Sequence, residues 1–82
     1  NDTYGHGNGD IVIKFLATIM LENTRASDII ARIGGEEFVI LLPNTSTDDA
    51  MILANKLRKK VENNLIKLED NVDINITISI GV

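Results

Sequence analysis

Apolar residues recur every three or four positions along the first stretch of patterned sequence. In "DIVIKFLATIMLENT", Ile11, Phe15 and Ile19 share one face, and Val12, Leu16 and Met20 lie beside them. That spacing predicts a helix. Its apolar face is wide, so substantial burial is expected. Asp10 occupies a cap or first-turn position, and the helix is expected to end near Asn23. The opening "NDTYGHGNGD" is dense in Gly, Asn and Asp and reads as a loop.

The period then shortens. Residues 29–33 and 37–42 flank Gly34-Gly35, a hairpin signal because both glycines tolerate positive φ. Phe38, Val39, Ile40, Leu41 and Leu42 are apolar on both faces, which predicts a central strand with at least partial cover on each side. Pro43 ends it.

"NTSTDDA" opens a second helix, with Ser46 or Thr47 as cap and Asp48 and Asp49 in the first turn. Ala50, Ala54, Leu57, Val61 and Leu65 form its expected buried stripe. Arg58, Lys59 and Lys60 fall late in the helix, where cations are favoured, and read as a solvated face. Last, "DINITISIGV" alternates: Ile74, Ile76, Ile78, Ile80 and Val82 point one way, Asn75, Thr77 and Ser79 the other. It is the clearest strand in the chain. Helix, hairpin, helix, strand describes an α+β fold, an antiparallel-rich sheet with helices packed on it.

The bulk numbers narrow the function. With 82 residues the chain is one small domain or part of one, able to bury roughly 60–65% of its extended surface. A net charge of -4 with acids spread along the chain leaves no basic stripe for DNA or RNA. A polyphosphate ligand would need a divalent cation between the charges. There is no cysteine, hence no disulfide or thiolate metal site. No apolar run reaches the ~18 residues of a membrane span, and no signal peptide is visible. The first residue is Asn1, so the sequence is expected to be a segment of a longer chain.

Candidate chemistry centres on the hairpin. A turn requires the glycines but not Glu36 and Glu37 beside them. If the strand begins at Glu37, the two acids point to opposite sides and need not share a site. Gly34 and Gly35, having no Cβ, let a bulky ligand approach the backbone. A carboxylate there suits Mg²⁺ if a second carboxylate arrives from elsewhere; Asp2 and Asp10 are candidates. The plainer reading is an ordinary charged surface hairpin, an Asx-turn at Asp2 and a cap at Asp10. His6, the only histidine, lacks companion ligands and fits a loop or capping role. "GHGNG" is not G-x-G-x-x-G, and neither a Walker loop nor a Ser/His/Asp arrangement is present.

"GGEEF" (residues 34–38) resembles the signature of the GGDEF family, the diguanylate cyclases, in its GGEEF form. "NDTYGHGNGD" and "ITISIGV" resemble two further blocks of that family, in family order and across essentially the whole chain. The resemblance implies a palm-like, adenylate-cyclase or ferredoxin-like fold. It implies metal-dependent condensation of two GTP into cyclic di-GMP with release of pyrophosphate, by two domains meeting as a homodimer. Carried over by position, Glu36 is the metal ligand (Mg²⁺ or Mn²⁺) and Glu37 the second signature acid. Gly34 and Gly35 lie against the nucleotide, and Asn1 and Asp10 bond the guanine. Asp2, Tyr4, Gly5, His6 and Gly9 match the loop as shape and support.

Arg25 and Asp28 form R-x-x-D at the family's spacing from the hairpin, which implies an inhibitory site for cyclic di-GMP; Arg32 is a possible contributor or a strand residue facing water. By itself the motif also describes an ordinary surface pair. The family further implies a strand before Asn1 carrying a metal aspartate and a phosphate-binding lysine, and a helix and strand after Val82 with basic residues. Residues 1–82 are therefore expected to be a partial GGDEF domain, truncated at both ends and inactive in isolation. Such domains are cytoplasmic and fused to sensory modules, in soluble or membrane-anchored proteins. The alternative is a catalytically inactive module that senses GTP or cyclic di-GMP, a reading that the intact signature acids disfavour.

Overall fold

The computed structural model describes residues 6–82. Their elements run α1 (His6–Glu22), β1 (Ile29–Gly34), β2 (Glu37–Leu41), α2 (Thr47–Glu62), β3 (Ile66–Lys67) and β4 (Asp73–Ile74). β1 and β2 pair antiparallel, and so do β3 and β4. The α+β class expected from the pattern is the one observed.

α1 begins earlier than the hydrophobic period indicates. Gly7, Asn8 and Gly9 are helical, not loop, and Asp10 falls beyond the first turn, so it is not the cap. A period marks only where a helix meets the core, and this first turn carries no apolar residue to report it. At the other end, Asn23 Nδ2 donates to the Ile19 carbonyl at 2.7 Å and Thr24 Oγ1 to that of Met20 at 2.9 Å. These bonds satisfy carbonyls that the last turn leaves without helical partners.

α2 opens as its sequence predicts. Ser46 is the N-cap, its Oγ accepting the Asp49 backbone N–H at 3.1 Å. Asp48 and Asp49 lie in the first turn and Lys59 and Lys60 in the last, each sign matched to the helix dipole. The buried stripe is shorter than expected. Leu57 and Val61 are buried, Ala50 and Ala54 half-buried, but Leu65 lies past the helix end and is 64% exposed.

Leu16, Ile19 and Met20 of α1 meet Leu57 and Val61 of α2 in the core. Ile30, Phe38 and Ile40 of the first hairpin and Ile76 and Ile78 of the last segment pack against it. The hairpin thus lays one face on the helices. Its other face, Ile29, Ile33, Val39 and Leu41, is exposed, and among the described residues β2 pairs with β1 alone. Among the described residues no layer lies over that outer face, so β2 is not covered on both sides by them as the apolar run predicts.

The last segment also departs from expectation. Only Asp73–Ile74 joins a ladder, with Ile66–Lys67, and Lys67 Nζ lies 3.4 Å from Asp73 Oδ1 across that pair. Residues 75–82 keep the alternation, with Ile76 and Ile78 half-buried, yet they pair with no strand among the described residues. Ile80 and Val82 are exposed. Alternation records which side faces the core; a ladder needs a second backbone about 4.8 Å away. Asn75 anchors the segment instead, its Nδ2 donating to the carbonyls of Glu62 at 2.6 Å and Asn64 at 3.2 Å.

Candidate functional site

The signature hairpin turns on two residues. Gly34 pairs with Glu37, leaving Gly35 and Glu36 as the turn. Only Gly35 takes positive φ, at 41°, so one of the two glycines, not both, uses the left-handed region closed to most side chains. The register shifts between Arg32 and Gly34, which bulges the strand at Ile33 just before the turn. Arg32 Nε donates to the Gly35 carbonyl at 2.9 Å and ties the turn back to β1. Arg32 is thus exposed to water but engaged.

Glu36 sits at the tip and Glu37 opens β2, so the two acids belong to different parts of the backbone. Glu36 lines two cavities. The smaller, about 360 Å³, has walls from Gly9 of α1, Gly35 and Glu36 of the turn, and Thr77 and Ser79 of the last segment, with Leu16 among its apolar lining. The larger, about 540 Å³, separates β2 from the end of the last segment, with Leu16, Met20, Leu53 and Leu57 among its walls. Glu37 lines neither. Asp10 follows Gly9 directly and is exposed. Asn1, Asp2, Tyr4, Gly5 and the His6 side chain lie outside the described residues.

Among the described residues no three of His, Cys, Asp and Glu cluster as a metal site. A carboxylate such as that of Glu36 is a hard oxygen donor of the kind Mg²⁺ takes, but one carboxylate does not make such a site.

Arg25 and Asp28 come together as a pair with internal work to do. The Asp28 side chain is only 3% exposed, accepting the Arg25 backbone N–H at 2.8 Å and facing Arg25 Nη2 at 3.4 Å. The same Nη2 donates to Thr45 Oγ1 at 2.6 Å and to the Pro43 carbonyl at 3.3 Å. Thr45 escaped the sequence reading, as did the contact between Asn8 and Glu69, whose backbone N–H donates to Asn8 Oδ1 at 3.0 Å. Their separations along the chain, 20 and 61 positions, leave no local signal.

Gly9, the Gly35-Glu36 turn and residues 76–79 belong to three separate sequence blocks and share one cavity. Residues 1–82 match the family described as "Diguanylate cyclase, GGDEF domain". The chain belongs to the GGDEF family. It is 52% identical over 82 residues to Diguanylate cyclase A of Treponema denticola, covering all of this chain and 22% of that protein. It is 41% identical over 83 residues to the Response regulator PleD of Caulobacter vibrioides, covering 18% of that protein. The chain thus spans about a fifth of the length of these curated relatives. The crystal structure of the GGDEF domain of YfiN (TpbB) from Pseudomonas aeruginosa superposes with a TM-score of 0.80 at 36% identity, over 92% of this chain and 47% of that one. The GGDEF segment thus shares the α+β arrangement of antiparallel strands and packed helices with that domain. No described helix is long and apolar enough to cross a membrane.

Proposed function

We propose that this segment forms part of a cytoplasmic diguanylate cyclase domain that condenses two GTP into cyclic di-GMP. The observation that carries the reading is the shared cavity, where Glu36 and Gly35 face Gly9 and the last segment. Gly35 leaves the turn's backbone open, since nothing lies within 4 Å of a Cβ built there. Asp10, next to Gly9, accepts the N1 and N2 donors of guanine, and Asn1 donates to a ring acceptor. Glu37 is the second signature acid.

In the reaction, the 3'-hydroxyl of each GTP attacks the α-phosphorus of the other. An O3'–P bond forms, the bond to the pyrophosphate oxygen breaks, and the hydroxyl proton leaves to solvent or base. Two such steps release two pyrophosphates. One domain holds one nucleotide, so the reaction joins two domains as a homodimer. Glu36 provides one ligand of the required Mg²⁺ or Mn²⁺, which offsets charge on the phosphate oxygens when bound. Its remaining ligands come from outside the described residues. Arg25 and Asp28 form the inhibitory site for the product, the largely exposed guanidinium taking the phosphate and the buried Asp28 carboxylate orienting Arg25. A sensory domain in the same protein supplies the signal.

Incubating the full-length protein with GTP and Mg²⁺, beside Glu36→Gln, tests the reading. Chromatography is expected to find cyclic di-GMP from wild type and none from the variant. A folded, dimeric wild type that makes none would shift the assignment to a nucleotide-sensing module.

A further inference from the structure

The β3–β4 hairpin grips the first turn of α1 at two adjacent residues. Asn8 Oδ1 accepts the Glu69 backbone N–H at 3.0 Å, closing a span of 61 residues. Gly7, one position earlier, lies under the Glu69 side chain: a Cβ built on it would come within 2.9 Å of Glu69 Cδ and nearer still to Oε1. On propensity alone glycine is a poor residue for a helix. Here Glu69 fills the room a Cβ would need. Its carboxylate also rests at the positive end of the helix dipole, where negative charge is favoured.

The gripping hairpin is itself held. Ile66 and Leu68 are buried, and Leu68 donates its backbone N–H to the Val72 carbonyl at 2.8 Å. Asn71, at φ 59°, closes the turn. The helix start therefore rests on a fixed support and not on a loose loop.

The residues that follow give the contact its consequence. After Asn8 come Gly9, a wall of the cavity shared with Glu36, and Asp10. A helix rises about 1.5 Å per residue, so the grip and the cavity wall lie within one turn of each other. We propose that Gly7, Asn8 and Glu69 form a latch that positions the start of α1, and with it the cavity wall at Gly9 beside Asp10, for GTP binding. The proposal rests on the cyclase reading above. Asn8 and Glu69 act through α1 and touch no substrate, so they are positioning residues.

The test uses the full-length protein and reads kcat and KM for GTP, the Kd of α,β-methylene-GTP and the thermal midpoint. Asn8→Ala is expected to raise KM and Kd about 3- to 10-fold, the size of one lost hydrogen bond, with kcat within about twofold. Asn8→Asp keeps the acceptor oxygen and stays near wild type. Gly7→Ala pushes aside only the carboxylate end of the exposed Glu69 side chain and leaves its backbone donor in place, so it raises KM by less than Asn8→Ala does. Adding Glu69→Ala removes the collision and returns KM to the value of Glu69→Ala alone.

Unchanged KM and Kd in Asn8→Ala, even with a lowered midpoint, would reduce the contact to a structural brace and overturn the proposal. A loss confined to kcat, or a Gly7→Ala defect that persists beside Glu69→Ala, overturns it too. Wild type that neither binds the analogue nor makes cyclic di-GMP removes the cyclase reading and the latch's substrate role together. That failure shows in the wild type and the others only in variants, so they are distinguishable.

Discussion

Arg25 reaches across 20 positions to Thr45, its Nη2 donating to Thr45 Oγ1 at 2.6 Å. The loop entering β1 is thereby joined to the loop entering α2, and Nη2 of the guanidinium is already engaged. Under the proposed product-binding role, a phosphate at Arg25 would compete with that hydroxyl. Thr45→Val removes the competitor and is expected to lower the cyclic di-GMP concentration giving half-inhibition by about 2- to 5-fold. Arg25→Ala is expected to abolish the inhibition. The two residues also separate in stability. Asp28→Ala removes the charged acceptor of the Arg25 backbone N–H and is expected to cost about 1–3 kcal/mol, whereas Arg25, at 60% side-chain exposure, is expected to cost less than about 1 kcal/mol when truncated. Inhibition curves and urea midpoints of the full-length protein check both.

The two signature glycines are expected to behave differently. Gly35 sits at φ 41°, so Gly35→Ala forces a Cβ into left-handed backbone and should destabilise by about 1–2 kcal/mol. Gly34 has no such φ, and nothing lies within 4 Å of a Cβ built there. Gly34→Ala should leave stability within about 0.5 kcal/mol of wild type; under the proposed cyclase role it is expected to lower activity nonetheless, because a methyl there would meet the nucleotide. Equal loss of stability in both variants would contradict the turn geometry.

Leu57 and Leu65 looked equivalent as one helical stripe but are not. Leu57 is 3% exposed against the α1 residues, while Leu65 is 64% exposed. Leu57→Ala is expected to cost about 2–5 kcal/mol in a denaturant titration, and Leu65→Ala no more than about 0.5 kcal/mol.

Much of this was open to reading along the chain. The two helices follow from apolar spacing, and the Ser46 cap from a hydroxyl placed before two acids and an apolar stripe. The GGEEF turn follows from its diglycine. All are local: the residues that decide each lie within a turn or two of one another, so the sequence displays cause and effect side by side. Family membership was also legible, because three blocks carry recognisable chemistry in order.

Other features depended on neighbours that the chain supplies from far away. "ITISIGV" alternates as a strand, yet alternation specifies only an inward side, and the pairing of residues 75–82 depends on which backbone lies alongside. The short β3–β4 hairpin has two residues per strand, too few to show a period. Its place is set by Ile66 and Leu68 reaching the interior. The convergence of Gly9, Glu36 and Ser79 on one cavity, the Arg25–Thr45 bridge and the Asn8–Glu69 contact arise only when α1, the first hairpin and the last segment pack together. Sequence determined which segments would be helix or extended and which residues carried polar chemistry, because those are near-neighbour effects. Tertiary structure decided which of these residues meet, because contact between distant positions is set by how the apolar faces close on a common core.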